Sequence, residues 1–320
     1  MRSYIIKRLI YSVIIAWGIL TITFILLRIG PTSPVDRYLL NIAAKGQDIE
    51  SVKQAIEARY GLDKPIAEQY LSYMGNLLQG KWGWSFSASM PVLDLIGSHW
   101  IYSFQLILLS TIFAILLGVS LGMLSAVKQN TKVDYATSIF SFIGISIPGF
   151  WLGLMLILVF GVQLGWFKTY YDTSYPIWSL QNLKQLILPV LALGIGELAA
   201  YVRYTRSAML DNLRKEFVTT ARAKGLPERT VIGKHVLRNA VLPLVTIIMF
   251  DLGSIVFGGA YLTEIVFGIP GLGQVSFNAI FADDYAVVVA VTLIGTFLVL
   301  LINLSTDLIY TYLDPRIRYD

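Results

Sequence analysis

Charged positions divide the chain into long apolar runs separated by short polar stretches. Uncharged sequence occupies Leu9 to Leu27, Ser103 to Val127, Tyr135 to Phe167 and Tyr285 to Thr306. Each run is close to or beyond the roughly 20 residues a helix needs to cross about 30 Å of hydrocarbon. Two more runs, Gln185 to Val202 and Val241 to Thr263, each carry a single acid, Glu197 and Asp251. Both read as spans whose acid faces protein rather than lipid. The pattern therefore predicts six transmembrane helices. The first run follows Arg2, Lys7 and Arg8 as in a secretion signal, but its apolar core is too long and no small-residue cleavage site follows, so it reads as an uncleaved span.

Breaks inside the pattern are informative. Pro148 and Gly149 interrupt the third run, and Pro189 and Pro243 sit near the starts of the next two, so kinks are expected there. Gly118 with Gly122, Gly149 with Gly153, and Gly161 with Gly165 are small residues four apart, which lets helices pack closely. Between the first two spans, Ile49, Val52, Ile56 and Tyr60 recur at helical spacing, and a second helix is expected from Pro65 to about Leu78. The aromatic stretch Lys81 to Phe86 calls for burial or an interface. The chain divides into an N-terminal tail and first span (1–29), a loop subdomain (30–100) and a five-helix core (101–320).

Composition agrees with a bilayer protein: 56% hydrophobic and 14% charged residues, with mean hydropathy +0.66, are too apolar to coat a soluble globule. The absence of cysteine excludes disulfides and thiolate chemistry. The net charge of +5 is unevenly placed. Arg2, Lys7 and Arg8, then Lys128 and Lys132, then nine cations from Arg203 to Arg238, then Arg316 and Arg318 fall on one side of the predicted spans. The other side's short loops hold only Lys168 and Lys184. Positive loops stay inside, so both termini and the basic segment are expected in the cytoplasm.

That segment, at about 207–240, has clear punctuation. Lys224-Gly225-Leu226-Pro227 reads as a helix stop followed by a start, because glycine suits a left-handed C′ position and proline suits the opening of a new helix. Glu228 then lies where a helix dipole favours negative charge. Phe217, Val218 and Ala221 form a small apolar face edged by Arg214, Lys215, Arg222 and Lys224. Three functions fit these residues: a basic loop touching anionic headgroups, a DNA-reading helix-turn-helix, and a docking element for a cytoplasmic protein. Tethering at both ends weighs against groove entry, and no nucleic-acid partner is expected.

The segment "TARAKGLPERTVIGKHVLRNAVLP" resembles the cytoplasmic loop of ABC-importer permeases, in the variant of the dipeptide and oligopeptide branch. Against that family's general pattern, Ala221, Gly225 and Leu237 match, while Thr219, Thr220, His235 and Arg238 differ. Three more blocks are similar to the family in the same order: "YGLDKPIAEQYLSYMGNLLQGKWGWSF", "LTEIVFGIPGLGQVSFNAI" and "DPRIR". Asp284-Tyr285-Ala286 departs from the usual Asp-Tyr-Pro.

The resemblance implies the type I importer fold, all-α, with a coupling helix near Asn212 to Lys224 seated in a separate ATPase subunit. The expected coupling residues are Glu216, Phe217, Thr219, Thr220, Ala221, Arg222, Ala223, Lys224, Gly225, Leu226 and Glu228, with Phe217, Ala221 and Leu226 supplying contact area. It also implies a homologous second permease, two ATP-binding cassette ATPases holding ATP and magnesium, an extracytoplasmic solute-binding protein, and a prokaryotic cell (inner) membrane location. No cofactor, metal site or catalytic residue is expected on this chain. The cargo classes of the branch are peptides, nickel, glutathione and oligosaccharides.

Other chemistry fits the residues less well. Gly75 to Trp82 spells the start of a phosphate loop, but Trp82 replaces the magnesium-binding hydroxyl and no strand precedes it. Glu197, Asp251 and Asp307 raise ion-coupled secondary transport, with hydrogen bonding between helices as the plainer role. Asp251 and Glu264 are expected along the translocation path. His99 and His235 have no hydrolase motif around them.

Overall fold

The computed structural model describes residues 2–29, 54, 64–253, 260–282 and 284–313. Apart from Gln54, the helix expected around Ile49 to Tyr60 lies outside the described residues, as does "DPRIR". Helices α1 (Arg2–Ile29), α3 (Val92–Val127), α7 (Ile187–Leu213) and α13 (Tyr285–Leu313) are unbroken and contain stretches apolar enough to cross a membrane. Between α1 and α3 lie α2 (Ile66–Leu78) and a two-stranded hairpin pairing Trp84 with Pro91 and Ser85 with Met90. The remaining long apolar stretches are bent pairs. Helix α4 (Lys132–Ser146) meets α5 (Gly149–Gln163) at 98°.

Short α6 (Leu180–Gln185) precedes α7, and α8 (Glu216–Ala223) follows it. Helix α9 (Glu228–Ala240) meets α10 (Leu242–Gly253) at a 57° bend, and α11 (Tyr261–Phe267) meets α12 (Leu272–Phe281) at 93°.

Among the described residues, four helices are long and apolar enough to cross a membrane, and three bent pairs pass the same test together, each a broken span or a re-entrant loop. The run Tyr135 to Phe167 is two helices, because Pro148 donates no N–H and forces Ile147 to extended backbone (φ −83°, ψ 122°). Pro243 likewise marks a bend. Pro189 does not: it is the third residue of α7, where no intrahelical donor is needed.

The central contact is α3 against α7. A Cβ on Gly118 would lie 2.7 Å from the Cβ of Tyr201, and one on Gly122 2.7 Å from the carbonyl oxygen of Val202. Only hydrogen at these positions permits the approach. Gly149 and Gly153 play the same part, facing Ala192 and Phe267. The third pair departs from expectation: Gly161 of α5 faces Thr169 in the loop that follows, and Gly165 (φ +64°) turns the chain after α5. Large exposed apolar side chains such as Val13, Leu116, Phe142 and Phe297 remain on the outside, as lipid-facing surfaces require.

The stretch after α2 is fastened to this body. Trp82 and Met90 pack on a cluster of Val92, Leu95, Leu272 and Val287, so part of the aromatic stretch is buried, while Trp84 stays exposed. Asp284 accepts hydrogen bonds from Ser85 Oγ (2.7 Å), Ser87 N (3.0 Å) and Ser87 Oγ (2.7 Å). Helix α2 leans on α1, with Tyr70 hydroxyl 2.8 Å from Thr21 Oγ1 and Phe24 between Tyr70 and Tyr73. A division at residue 100 would cut the continuous α3. Residues 75–78 are helical, so the Gly75 to Trp82 stretch has no phosphate-loop geometry.

Candidate functional site

At the basic end of the molecule, α8 and α9 form an elbow. Helix α8 closes as foreseen: Gly225 adopts φ +74°, its N–H reaches Arg222 O at 2.9 Å, and Leu226 N reaches Ala221 O at 3.4 Å. These are the paired bonds of a glycine C-cap. Pro227 then caps α9 in extended conformation. Arg222 spans the bend to Glu228, with Nη2 to Oε1 at 2.6 Å and Nε to Oε2 at 3.2 Å. Hydrogen bonding from Arg222 holds the Glu228 carboxyl below its ordinary range, and the carboxylate raises the guanidinium in return.

The elbow has two faces. Val218 and Ala221 point inward, into a cluster with Ala126, Met209, Val231 and Val236. This corrects one expectation: Ala221, 6% exposed, supplies contact area to its own chain. Helical spacing places it on the face opposite Thr219 and Ala223, and the apolar cluster takes that face. Phe217 is half-buried against the same cluster. Glu216, Thr219, Thr220, Ala223, Lys224 and Leu226 are exposed and form the outward ridge. A cleft of about 240 Å³ lies beside it, lined by Gln129, Leu213, Arg214, Arg222, Glu228 and Ile232 among others.

Above the elbow sits a clamp that the sequence did not disclose. Two of the nine basic residues, Arg203 and Arg206, belong to α7. Arg206 forks onto Asp134, Nε to Oδ1 at 2.6 Å and Nη2 to Oδ2 at 2.8 Å, while Ser125 Oγ and Asn130 N donate to the same carboxylate. Bidentate geometry and full ligation are what make a shielded ion pair rigid. The clamp ties the α3–α4 turn to α7. The one available signal was an acid in the first turn of α4, and pairing across 72 residues is invisible at that level.

The acids at depth separate by partner. Asp307 pairs with Arg8 at 2.9 Å, the plainer of its two expected roles. Glu264, expected on the path, is 1% exposed and sits inside the protein. Ser103 Oγ donates to its Oε1 at 2.5 Å, Gln274 N donates to its Oε2 at 3.1 Å, and Ser103 Oγ accepts Leu272 N at 2.7 Å. The network holds the α11–α12 bend, and it explains the "EIVFGIPGLG" block physically. Gly268 takes φ +66°, and a Cβ on Gly271 would lie 2.4 Å from both the Glu264 carboxyl carbon and Ser103 Oγ. Asp251 is half-buried on α10 and accepts from Tyr201 hydroxyl at 2.6 Å. Glu197 lies one turn before Tyr201 on α7, and its buried Oε2 has no hydrogen-bond partner among the described residues.

Known proteins are similar to this chain. An inward-facing methionine ABC transporter, MetNI, superposes with TM-score 0.55 at 21% identity, covering 69% of this chain and 97% of that one, which speaks for the fold. The oligopeptide transport system permease protein AppB of Bacillus subtilis is 39% identical over the full length of both chains. The dipeptide permease DppB of Alkalihalophilus pseudofirmus and the glutathione permease GsiC of Escherichia coli are each 35% identical, also over both full lengths. The model "Binding-prot-dependent transport system membrane comp, N-term" matches residues 1–103, and "Binding-protein-dependent transport system inner membrane component" matches residues 114–319. Matched almost end to end, the chain belongs to the binding-protein-dependent transport system inner membrane components, the permease subunits of ABC importers.

Proposed function

We propose that this permease imports peptides, and that its α8–α9 elbow converts closure of two partner ATPases into alternating access of the pore. The observation that carries the reading is the two-sided elbow. Its inner face is fused to α3 and α7 through Val218, Ala221 and Met209, while its outer ridge of Thr219, Thr220, Ala223 and Leu226 is exposed. A push on the ridge is therefore delivered to two spanning helices, not absorbed by a loose loop. Lys224, Arg214 and Lys215 give the ridge a positive edge, and Gly225 sets the bend.

The asymmetry of Lys and Arg supports placing the elbow and both termini in the cytoplasm of a prokaryotic cell, with the Trp84 hairpin outside. A homologous second permease completes the pore, a solute-binding protein delivers cargo outside, and ATP with magnesium stays on the ATPases. The names of the similar permeases support peptides as cargo.

The chain has no cysteine, so single cysteines report contacts cleanly. In the assembled transporter, Thr219→Cys and Ala223→Cys are expected to crosslink to the ATPase, and inward Val218→Cys is not. Ala223→Trp should abolish ATP-driven uptake of labelled peptides while the complex still hydrolyses ATP. Undiminished uptake in that variant would remove the coupling role, and uptake of oligosaccharides in place of peptides would replace the cargo.

A further inference from the structure

Helix α2 carries its apolar and polar side chains on separate arcs. Wound at 3.6 residues per turn, Tyr73, Tyr70, Met74, Ala67, Leu78 and Leu71 follow one another round one side, and Glu68, Ser72 and Asn76 occupy the other. Only part of the apolar arc is covered. Tyr70 and Tyr73 turn to α1, where the Phe24 ring lies 5.4 Å from each of theirs. Ala67 is exposed, and Leu71 and Leu78 are left 69% and 90% exposed. Large apolar side chains grouped on one helix face are unfavourable in water, so this flank calls for a cover.

The height of α2 along α1 indicates what that cover is. The apolar run of α1 ends at Leu27, just before Arg28. Tyr70 hydroxyl meets Thr21 Oγ1 at 2.8 Å, and Thr21 lies six residues, or about 9 Å, inside that end. Phe24 is nearer the end but still within the run. Helix α2 therefore stands at the hydrocarbon boundary, level with Ile22 and Ile25, which α1 leaves exposed. A second, independent feature is the placement of charge and rings. Lys64 precedes α2 and Lys81 follows it, both exposed, and the exposed indole of Trp84 comes next. Within α2 the sole charged residue is Glu68, on the polar arc. Cations and an indole flanking an amphipathic helix are suited to the headgroup layer.

We propose that α2 is an in-plane membrane anchor whose Ala67, Leu71 and Leu78 flank lies among the acyl chains of the outer leaflet, just below the headgroups. Lys64 and Lys81 then reach the lipid phosphates, and Glu68, Ser72 and Asn76 face water. The occupant follows from level and chemistry. A face built for a water-borne protein would stand beyond the end of α1, whereas this one stands within its apolar run. Lipid tails ask for no polar complement, and the uncovered flank offers none. The loop subdomain is thereby fastened twice, to lipid through α2 and to the start of α13 through Asp284 and the hairpin. The depth of α2 does not rest on the transport reading, and the choice of the outer leaflet rests only on the asymmetry of Lys and Arg.

The test uses the whole transporter in nanodiscs of phosphatidylethanolamine and phosphatidylglycerol, with partner subunits free of cysteine. Nitroxide labels on Leu71→Cys and Leu78→Cys report the apolar flank, and labels on Ser72→Cys and Asn76→Cys report the polar arc. Oxygen concentrates in hydrocarbon and a nickel chelate stays in water. The ratio of oxygen to chelate collisions should therefore be several-fold higher at Leu71 and Leu78 than at Ser72 and Asn76. Equal ratios on the two arcs overturn the anchor. Shielding of the Leu71 and Leu78 labels from both reagents also overturns it, and assigns the flank to a protein cover. If the Leu71 variant fails to assemble, the more exposed Leu78 position decides between these outcomes.

Discussion

Glu264 and Glu197 are the same side chain in two opposite situations. Glu264 is enclosed, and each carboxylate oxygen receives a donor, from Ser103 and from Gln274 N. Glu197 is partly enclosed, and its shielded oxygen receives none among the described residues. The first carboxyl group holds two short helices at a 93° bend. Depth alone therefore does not assign a role to an acid in an apolar chain; the tally of its donors does.

The comparison can be broken most forcefully at the joint. Glu264→Ala should destabilise the protein by about 3 kcal/mol, because Ser103 and the Leu272 and Gln274 amides lose a shared acceptor. Gly271→Ala should act similarly through a clash, since its Cβ would need space already filled by Glu264 and Ser103. Denaturant unfolding in detergent checks both. If either variant keeps wild-type stability, Glu264 is not the keystone of the bend.

Asp284 is an intermediate case, with three donors on one oxygen, and Asp284→Ala should cost about 2 kcal/mol. The loss should appear first as faster amide exchange at residues 84–91. Exchange rising uniformly along the chain would show that the hairpin is not separately latched.

Glu197→Gln should be neutral or stabilising by at most about 1 kcal/mol, since it keeps the shape of a side chain whose shielded Oε2 takes no donor among the described residues. A cost like that of Glu264 would erase the distinction between the two acids.

The smallest effect belongs to the elbow. Both partners of the Arg222–Glu228 pair are about half exposed, so Arg222→Ala should leave thermal unfolding nearly unchanged. Glu228 is held below the usual carboxylate range. Whatever stability the pair gives is therefore present at neutral pH, and is lost as pH falls through the lowered folded value. A loss of elbow stability on raising pH from neutral would contradict the assignment.

Sequence was a good guide where the physics is local. The stop and start at Lys224 to Pro227 follow from glycine's access to positive φ and proline's fixed φ, and the structure places Gly225 at +74°. The break at Pro148 and the helix from Ile66 to Leu78 were legible for the same kind of reason. So was the close packing of Gly118 and Gly122, although at the identical spacing Gly161 only meets the loop after α5 and Gly165 makes a turn. Which way Ala221 faces was not legible, because both faces of α8 carry small or apolar residues and only the cluster at Met209 and Val236 selects one.

The amino-acid order by itself determined that the chain is apolar enough for a membrane, where its long helices run, where the basic elbow turns and which family it joins. Those are properties of neighbouring residues and of composition, readable without knowing what lies across a helix. Tertiary structure alone decided which acid oxygens receive donors: those of Asp134 from Arg206, Asp284 Oδ2 from Ser85 and Ser87, and Glu264 Oε1 from Ser103, while Glu197 Oε2 and Asp284 Oδ1 receive none among the described residues. The Arg206–Asp134 and Ser85–Asp284 bonds join residues 72 and 199 positions apart, and only the packed tertiary arrangement brings such partners within 3 Å.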